Sequence, residues 1–300
     1  MKPAAFEYHL PDSVSEATRL LAELPEAELM AGNQSLGIAM SNRVATPDHI
    51  IDINGLTELD YLDIGDKKIE IGAMVRHRDM EKSSALTEAF PILSISAGKI
   101  AGPVVRNRGT LGGSIGEADP GGNYPSVLVA MGGEIELLST DHTRTVDATD
   151  YFTADTTDSI NENELIKCAR FSKKPFPSHR TGMAFLRKKE AAQSWPIVSV
   201  ASAVRVADPT HQNPVIEEAR VGYANAADVP LRLQSVEAAI EGEPISEQTL
   251  RTAGERAYDE VQPQSELHAD KTYKRELACE LTKRVFRRSY DRATAEPIVV

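Results

Sequence analysis

Two stretches constrain this backbone most: AGNQSLG at 31–37 and RNRGTLGGS at 106–114, each crowding glycines and small polar residues into a few positions. The first follows directly on the apolar run AELM at 27–30. A strand ending in such a turn can present consecutive backbone N–H groups to an anion, because glycine admits positive φ and close approach while Ser and Asn add donors. The groups concerned are Gly32, Asn33, Gln34 and Ser35 in the first stretch, and Thr110, Gly112, Gly113 and Ser114 in the second, with Arg106 and Arg108 beside them. Neither stretch matches G-x-x-x-x-G-K-[ST], and neither is a G-x-G-x-x-G opening a helix, so a P-loop nucleotidase and a Rossmann site are both unsupported. Singly, each reads as a surface turn; together they suit the two phosphates of a dinucleotide, held from both sides.

Hydrophobic periodicity divides the rest of the chain into three parts. At the start, Ser13 and Glu16 form a capping box for a helix whose apolar face is Val14, Ala17, Leu20, Leu21 and Leu24, stopped by Pro25. AELM and HIIDI (49–53) read as buried strands, so the first part is a small α/β unit. A hairpin around Gly65-Asp66, a helical stretch from Ala85 to Ile100 broken near Pro91, the helix YPSVLVAMG, a second hairpin EIELLSTDHTRTVDA and the strand ELIKCARF make a β-rich middle ending near 172. Beyond the connector SKKPFPSHR, the runs GMAFLRK, PIVSVASAVRV and VIEEARVGYA read as strands, with helices at 233–241, 245–259 and 270–290.

Composition removes several function classes. A formal charge of −12 opposes a nucleic-acid partner gripped by its phosphates. Cys168 and Cys279 stand 111 positions apart and outside any Cys/His cluster, so the chain alone is not expected to ligate an iron–sulfur cluster or a cysteine-based zinc. No signal-peptide core opens the sequence and no run approaches the roughly 18 apolar residues of a membrane span, which makes cytoplasmic residence the expectation.

The segment ELMAGNQSLGIAMSNRVATPDHIIDIN resembles the first FAD-pyrophosphate loop of the flavoprotein (medium) subunits of molybdenum hydroxylases, the family containing carbon monoxide dehydrogenase and xanthine dehydrogenase. IAGPVVRNRGTLGGSIGEADPGGNYPSVL resembles the second loop, IEIGAMVRHRDME the segment between them, and PIVSVASAV with RVGYANAADVPLR the C-terminal domain. The resemblance implies an α+β protein. An FAD-binding domain made of a small α/β unit (1–56) and a β-rich subdomain (57–174) is followed by an α+β C-terminal domain (178–290). It implies that Leu29, Met30, Ala31, Gly32, Asn33, Gln34, Ser35 and Leu36 line the pyrophosphate, and that Thr110, Leu111, Gly112, Gly113 and Ser114 form the opposite wall. Ile100 and Ile166 would face the cofactor, the latter near the isoalloxazine, and Asn123 would meet a ribose or adenine. In function it implies an oxidoreductase subunit inactive on substrate by itself: FAD on this chain, a molybdenum cofactor on a large partner subunit and iron–sulfur clusters on a small one, with electrons passed to a terminal acceptor.

Departures from the family pattern mark further positions. Asn33 replaces a common glycine and Asn123 a common aspartate; Val75 and Arg76 stand for two threonines, Phe185 for a tyrosine and Arg187 for a lysine near the flavin. These substitutions motivate a flavin-less scaffold subunit as one alternative, beside a free-standing flavin oxidoreductase. Among residues outside the loops, His77 between two arginines reads as a solvated helix start, Trp195 as core, Asp119-Pro120 as a turn, and KRVFRRSY as a solvated basic helix face or a partner contact.

Overall fold

The computed structural model describes residues 2–153 and 159–295. Its N-terminal unit comprises β1 (Glu7–His9), α1 (Val14–Glu23), β2 (Ala27–Met30), α2 (Leu36–Ser41) and β3 (His49–Asp52). The strands form a parallel sheet in the order β1-β3-β2. Ser13 caps α1 by accepting the Glu16 N–H at 3.1 Å, an arrangement worth about 1 kcal/mol. The expected capping box is displaced by one residue, because the Glu16 carboxylate returns to the Asp12 N–H at 2.9 Å. Val14, Ala17 and Leu21 then cover Ile51 and Ile53 of the sheet, closing a small core.

The middle unit contains β4 (Leu62–Ile64), β5 (Lys68–Gly72), α3 (His77–Lys82), α4 (Ser84–Ala89), α5 (Pro91–Ala97), α6 (Pro103–Arg106), α7 (Leu111–Glu117), α8 (Asn123–Met131), β6 (Glu134–Leu138), β7 (Thr143–Asp147), α9 (Ala148–Tyr151) and β8 (Leu165–Ser172). Its sheet is antiparallel in the order β4-β5-β8-β6-β7. α8 is buried along its whole length and ends where Gly132 takes φ +64°. The second glycine stretch, expected as a loop, is helical from Leu111. Thr110 caps that helix by accepting the Gly113 N–H, which converts a glycine-rich segment into a first turn.

In the C-terminal unit, β9 (Thr181–Lys189), β10 (Pro196–Val206), β11 (Ile216–Ala224) and β12 (Leu231–Arg232) form an antiparallel sheet ordered β12-β11-β10-β9, followed by α10 (Gln234–Glu237), α11 (Glu247–Glu260) and α12 (Lys271–Thr294). Both faces of this sheet are covered, as the uninterrupted apolar run of β10 requires. Met183, Phe185, Ala201 and Ala203 join the core of the middle unit, while Ala184, Val200 and Val204 pack with residues of α11 and α12. Each large apolar side chain so buried contributes about 1.5–3 kcal/mol. The basic run on α12 is therefore only half solvated: Val285, Phe286, Ser289 and Tyr290 are buried, whereas Lys283 and Arg284 pair with Glu280 and Arg287 with Glu247. Among the described residues no helix is long and apolar enough to cross a membrane.

Candidate functional site

The first glycine stretch leaves β2 where that strand runs beside β3, Met30 opposite Asp52. Its path is fixed from below by Asn54, whose amide donates to the Ala31 carbonyl at 2.7 Å. Asn33 takes a left-handed turn at φ +55°, and its side chain lies over Gly37, where a Cβ would stand 2.6 Å from Asn33 Oδ1. Gln34 donates back to the Gly32 carbonyl at 3.0 Å. Among the described residues, nothing accepts the backbone N–H groups of Gly32, Asn33, Gln34 and Ser35. Four successive donors are thus left for a ligand at the end of a strand. Asn tolerates this conformation and a β-branched residue does not. Urea denaturation should therefore find Asn33→Val less stable by about 1–2 kcal/mol and Asn33→Gly nearly unchanged.

The second stretch is built differently. Its donors from Leu111 onward are consumed within the protein: Leu111 N–H goes to the Val75 carbonyl at 3.0 Å, Gly112 N–H to Ala73 at 2.8 Å, Gly113 N–H to Thr110 Oγ1 at 3.1 Å and Ser114 N–H to the Thr110 carbonyl at 3.1 Å. The expected two-sided cradle of N–H groups is therefore four donors on one side against the single Thr110 N–H on the other, and the glycines here serve close packing. A Cβ on Gly112 would meet that of Ala73 at 2.5 Å, and one on Gly109 would reach His77 Nε2 at 2.7 Å.

The two stretches touch. A Cβ on Gly32 would run into the Arg108 carbonyl oxygen and stand 2.7 Å from Gly109 Cα. Arg76 locks them together, donating to the Arg108 carbonyl from one nitrogen and to Asn54 Oδ1 at 2.8 Å from the other, so that Arg108, Arg76, Asn54 and Ala31 form one chain of hydrogen bonds. Asn54 is itself oriented by Asp52 at 2.6 Å, and Asp52 accepts the Tyr8 hydroxyl. Sequence reading identified Arg76 only as a departure from a pattern; its partners lie 22 and 32 positions away, and no local signal joins them.

His77 is interior rather than solvated. It is 5% exposed, its Nδ1 lies 3.2 Å from the hydroxyl of the fully buried Tyr124, and its backbone N–H holds the Gly109 carbonyl at 3.0 Å. Burial, reinforced by the charges of Arg76 and Arg106, pushes its pKa down to about 3, so the ring is neutral at ordinary pH. It props the second stretch from behind.

Other positions singled out in the sequence are distributed around this pair. Leu29 is half-buried against the N-terminal core and Met30 lines a small cleft with Tyr8, Asn33, Gly37 and Met40, while Leu36 opens α2. Leu111 and Val75 are core residues. Ile166 lies 3.5 Å from where a Cβ on Gly116 would stand, and Ile100 packs at the edge of the central core, its carbonyl taking a 2.9 Å bond from Arg106. Asn123 is buried, with its amide committed to the Ser96 carbonyl at 2.9 Å. Phe185 packs in the core. Its strand neighbour Arg187 is half-buried without an acidic partner among the described residues, and burial, then the Arg106 charge, lowers its pKa. Trp195 is 58% exposed, with its indole edge facing Gly121 in the Asp119 turn, because the β9–β10 connection crosses the surface there.

Comparison with known proteins places this architecture. Residues 4–171 match the family model described as the FAD binding domain in molybdopterin dehydrogenase, and residues 184–289 match the CO dehydrogenase flavoprotein C-terminal domain. The carbon monoxide dehydrogenase medium chain of Hydrogenophaga pseudoflava is 31% identical, over 97% of this chain and 99% of its own. The glyceraldehyde dehydrogenase medium chain of Sulfolobus acidocaldarius is 29% identical over 96% and 99%. In a solved structure of carbon monoxide dehydrogenase from H. pseudoflava, a chain 32% identical superimposes with a TM-score of 0.91, covering 97% of this chain and 99% of that one. With both parts matched in order along nearly its whole length, the chain belongs to the FAD-binding medium subunits of the molybdenum hydroxylases, the oxidoreductases of carbon monoxide and xanthine dehydrogenase type.

Proposed function

We propose that this chain is the electron-transfer subunit of a multi-subunit molybdenum hydroxylase of the cytoplasm, standing between iron–sulfur clusters on a small partner subunit and a terminal acceptor, with substrate oxidised at a molybdenum cofactor on a large one. The observation that carries this reading is the row of four unaccepted N–H groups at Gly32–Ser35, pressed against a glycine wall at 109–113 and locked to it through Arg76. A pyrophosphate fits there by chemistry, because its oxygens accept from such donors and the missing Cβ atoms leave the backbone approachable. Ala31 to Ser35 would hold the phosphates, Leu29, Met30 and Leu36 their approach, and Thr110 to Ser114 the facing wall. Ile100 and Ile166 would offer apolar surface to the ring system, and Arg187 a positive charge.

FAD, when bound, supplies redox chemistry that no side chain here possesses. What the protein adds is position and a fixed field. The two thiols, Cys168 on β8 and Cys279 on α12, lie in different units and fall short of the four thiolates that a cluster takes. The clusters therefore belong on other chains. Purified chain is expected to show a flavin visible spectrum and to release FAD on acid treatment, while turning over substrate only when the partner subunits are added. A chain that stays colourless even when FAD is supplied and partners are co-expressed would replace this reading with that of a scaffold.

A further inference from the structure

We propose that Glu7, His9 and His49 form a binding site for a zinc-class divalent cation on the N-terminal sheet, on the face opposite the pyrophosphate cleft. β1 and β3 run parallel with Glu7 in register with His49, and alternation along β1 returns His9 to the same face as Glu7. One ligand atom from each residue lies within 4.8 Å of the other two. His9 Nε2 and His49 Nδ1 are 3.1 Å apart, and Glu7 Oε2 is 3.6 Å from His49 Nδ1. Zinc with bonds of about 2.0–2.1 Å to nitrogen and oxygen, at tetrahedral angles, separates its ligands by about 3.4 Å. The two edges at His49 bracket that value and the Glu7–His9 edge is no longer than 4.8 Å, so side-chain rotation of the exposed Glu7 brings all three groups onto one metal ion.

Ligand chemistry selects the class. Two imidazoles and a carboxylate suit zinc and its neighbours, whereas magnesium and calcium seek oxygen alone. Three protein ligands leave the fourth corner to water. His49 is largely buried and Glu7 largely exposed, at 16% and 75%, which gives the metal a fixed base and an open entrance. Bound there, the ion would staple β1, a three-residue strand at the edge of the sheet beside β3, to the rest of the sheet. Tyr8, between the two β1 ligands, points to the other face and holds Asp52, and through it Asn54 and the Ala31 carbonyl. The staple therefore bears on the end of β2 from which the first glycine stretch departs.

The test uses untagged full-length chain, stripped with a chelator, dialysed against zinc and analysed for metal, with FAD content read in the same samples. Wild type is expected to retain one equivalent of zinc and to melt at a higher temperature with it than without. His49→Gln and the double variant His9→Gln/His49→Gln should lose both the metal and the shift, while keeping the circular dichroism of the parent. Cobalt in place of zinc should give the intense visible absorption of a tetrahedral site in wild type only. Failure of the wild type to retain zinc would overturn the proposal and reduce the pair to an imidazole–imidazole hydrogen bond. Undiminished retention by the double variant would overturn it too, by assigning the metal to the five histidines outside this cluster, of seven in all. Neither outcome touches the flavin reading, which the FAD content reports separately.

Discussion

Gly32→Ala is expected to leave a folded chain that no longer keeps FAD through gel filtration. The added methyl would collide with the Arg108 carbonyl oxygen and stand 2.7 Å from Gly109 Cα, and both neighbours are backbone, which cannot rotate aside. Overpacking of this kind costs about 1–3 kcal/mol. The chain relieves it by parting the two stretches, and a ligand gripped between them must then force them together again. Loaded onto binding, the same energy weakens FAD by roughly ten- to a hundredfold. The measurement is the flavin-to-protein ratio after gel filtration, with the dissociation constant from flavin fluorescence. Gly55→Ala makes the same chemical change where a Cβ meets nothing within 4 Å, and should bind as the parent does. Equal retention by the two variants would mean that the contact between the stretches has no part in holding the cofactor.

Acid is expected to destabilise the protein well above the pH at which carboxylates titrate, through His77. In the unfolded chain its imidazole takes up a proton near 6.5, whereas in the folded chain it does so only near 3. Between those values the unfolded state binds the extra proton, so stability falls as pH falls, by about 1.4 kcal/mol per unit for one group. Above 6.5 the group contributes no slope. Glu70 and Glu164, both held down to about 2, act in the same direction only below their ordinary range: Glu70 is bonded to Tyr61, Arg170 and Lys68, and Glu164 chiefly to Arg144. Between pH 6.5 and 4.5 His77 is expected to cost about 2–3 kcal/mol, and the difference in denaturation between wild type and a variant lacking the imidazole separates that share from the carboxylates, of which Glu28, Glu117 and Asp119, raised by burial, act in the opposite direction. His77→Gln, which keeps a polar partner for Tyr124 and does not titrate, should flatten the slope there. An unchanged slope in that variant would assign the acid sensitivity to other groups.

Much of the architecture was legible because it is written in local patterns. The apolar face of α1 with its serine cap, the strand at 27–30 feeding a glycine turn, and the glycine-stopped α8 all stand in the structure where periodicity and capping put them. The α+β class and the family are carried instead by the resemblance of the two glycine segments and their flanks to a known family. Less legible were matters that depend on distant partners. Thr110 to Ser114 read as a cradle of donors, yet Ala73 and Val75 take two of those N–H groups, and that pairing is visible only once β5 and α7 are side by side. His77 sits between two arginines and reads as solvated, but the chain turns its ring onto Tyr124, 47 positions away. Trp195 had the size of a core residue and the address of a surface hairpin, and the address decided. Arg76 is the largest omission, since a clamp between two loops has no signature on either.

The unequal donor supply of the two stretches divides their labour. The amides of Gly32 to Ser35 have no acceptor among the described residues, whereas those of Leu111 to Ser114 are bonded within the protein. Capture of a pyrophosphate then trades water for phosphate on one side and breaks no protein hydrogen bond on the other. The first stretch therefore serves the ligand and the second serves the fold, a division that their shared glycine-rich composition hides.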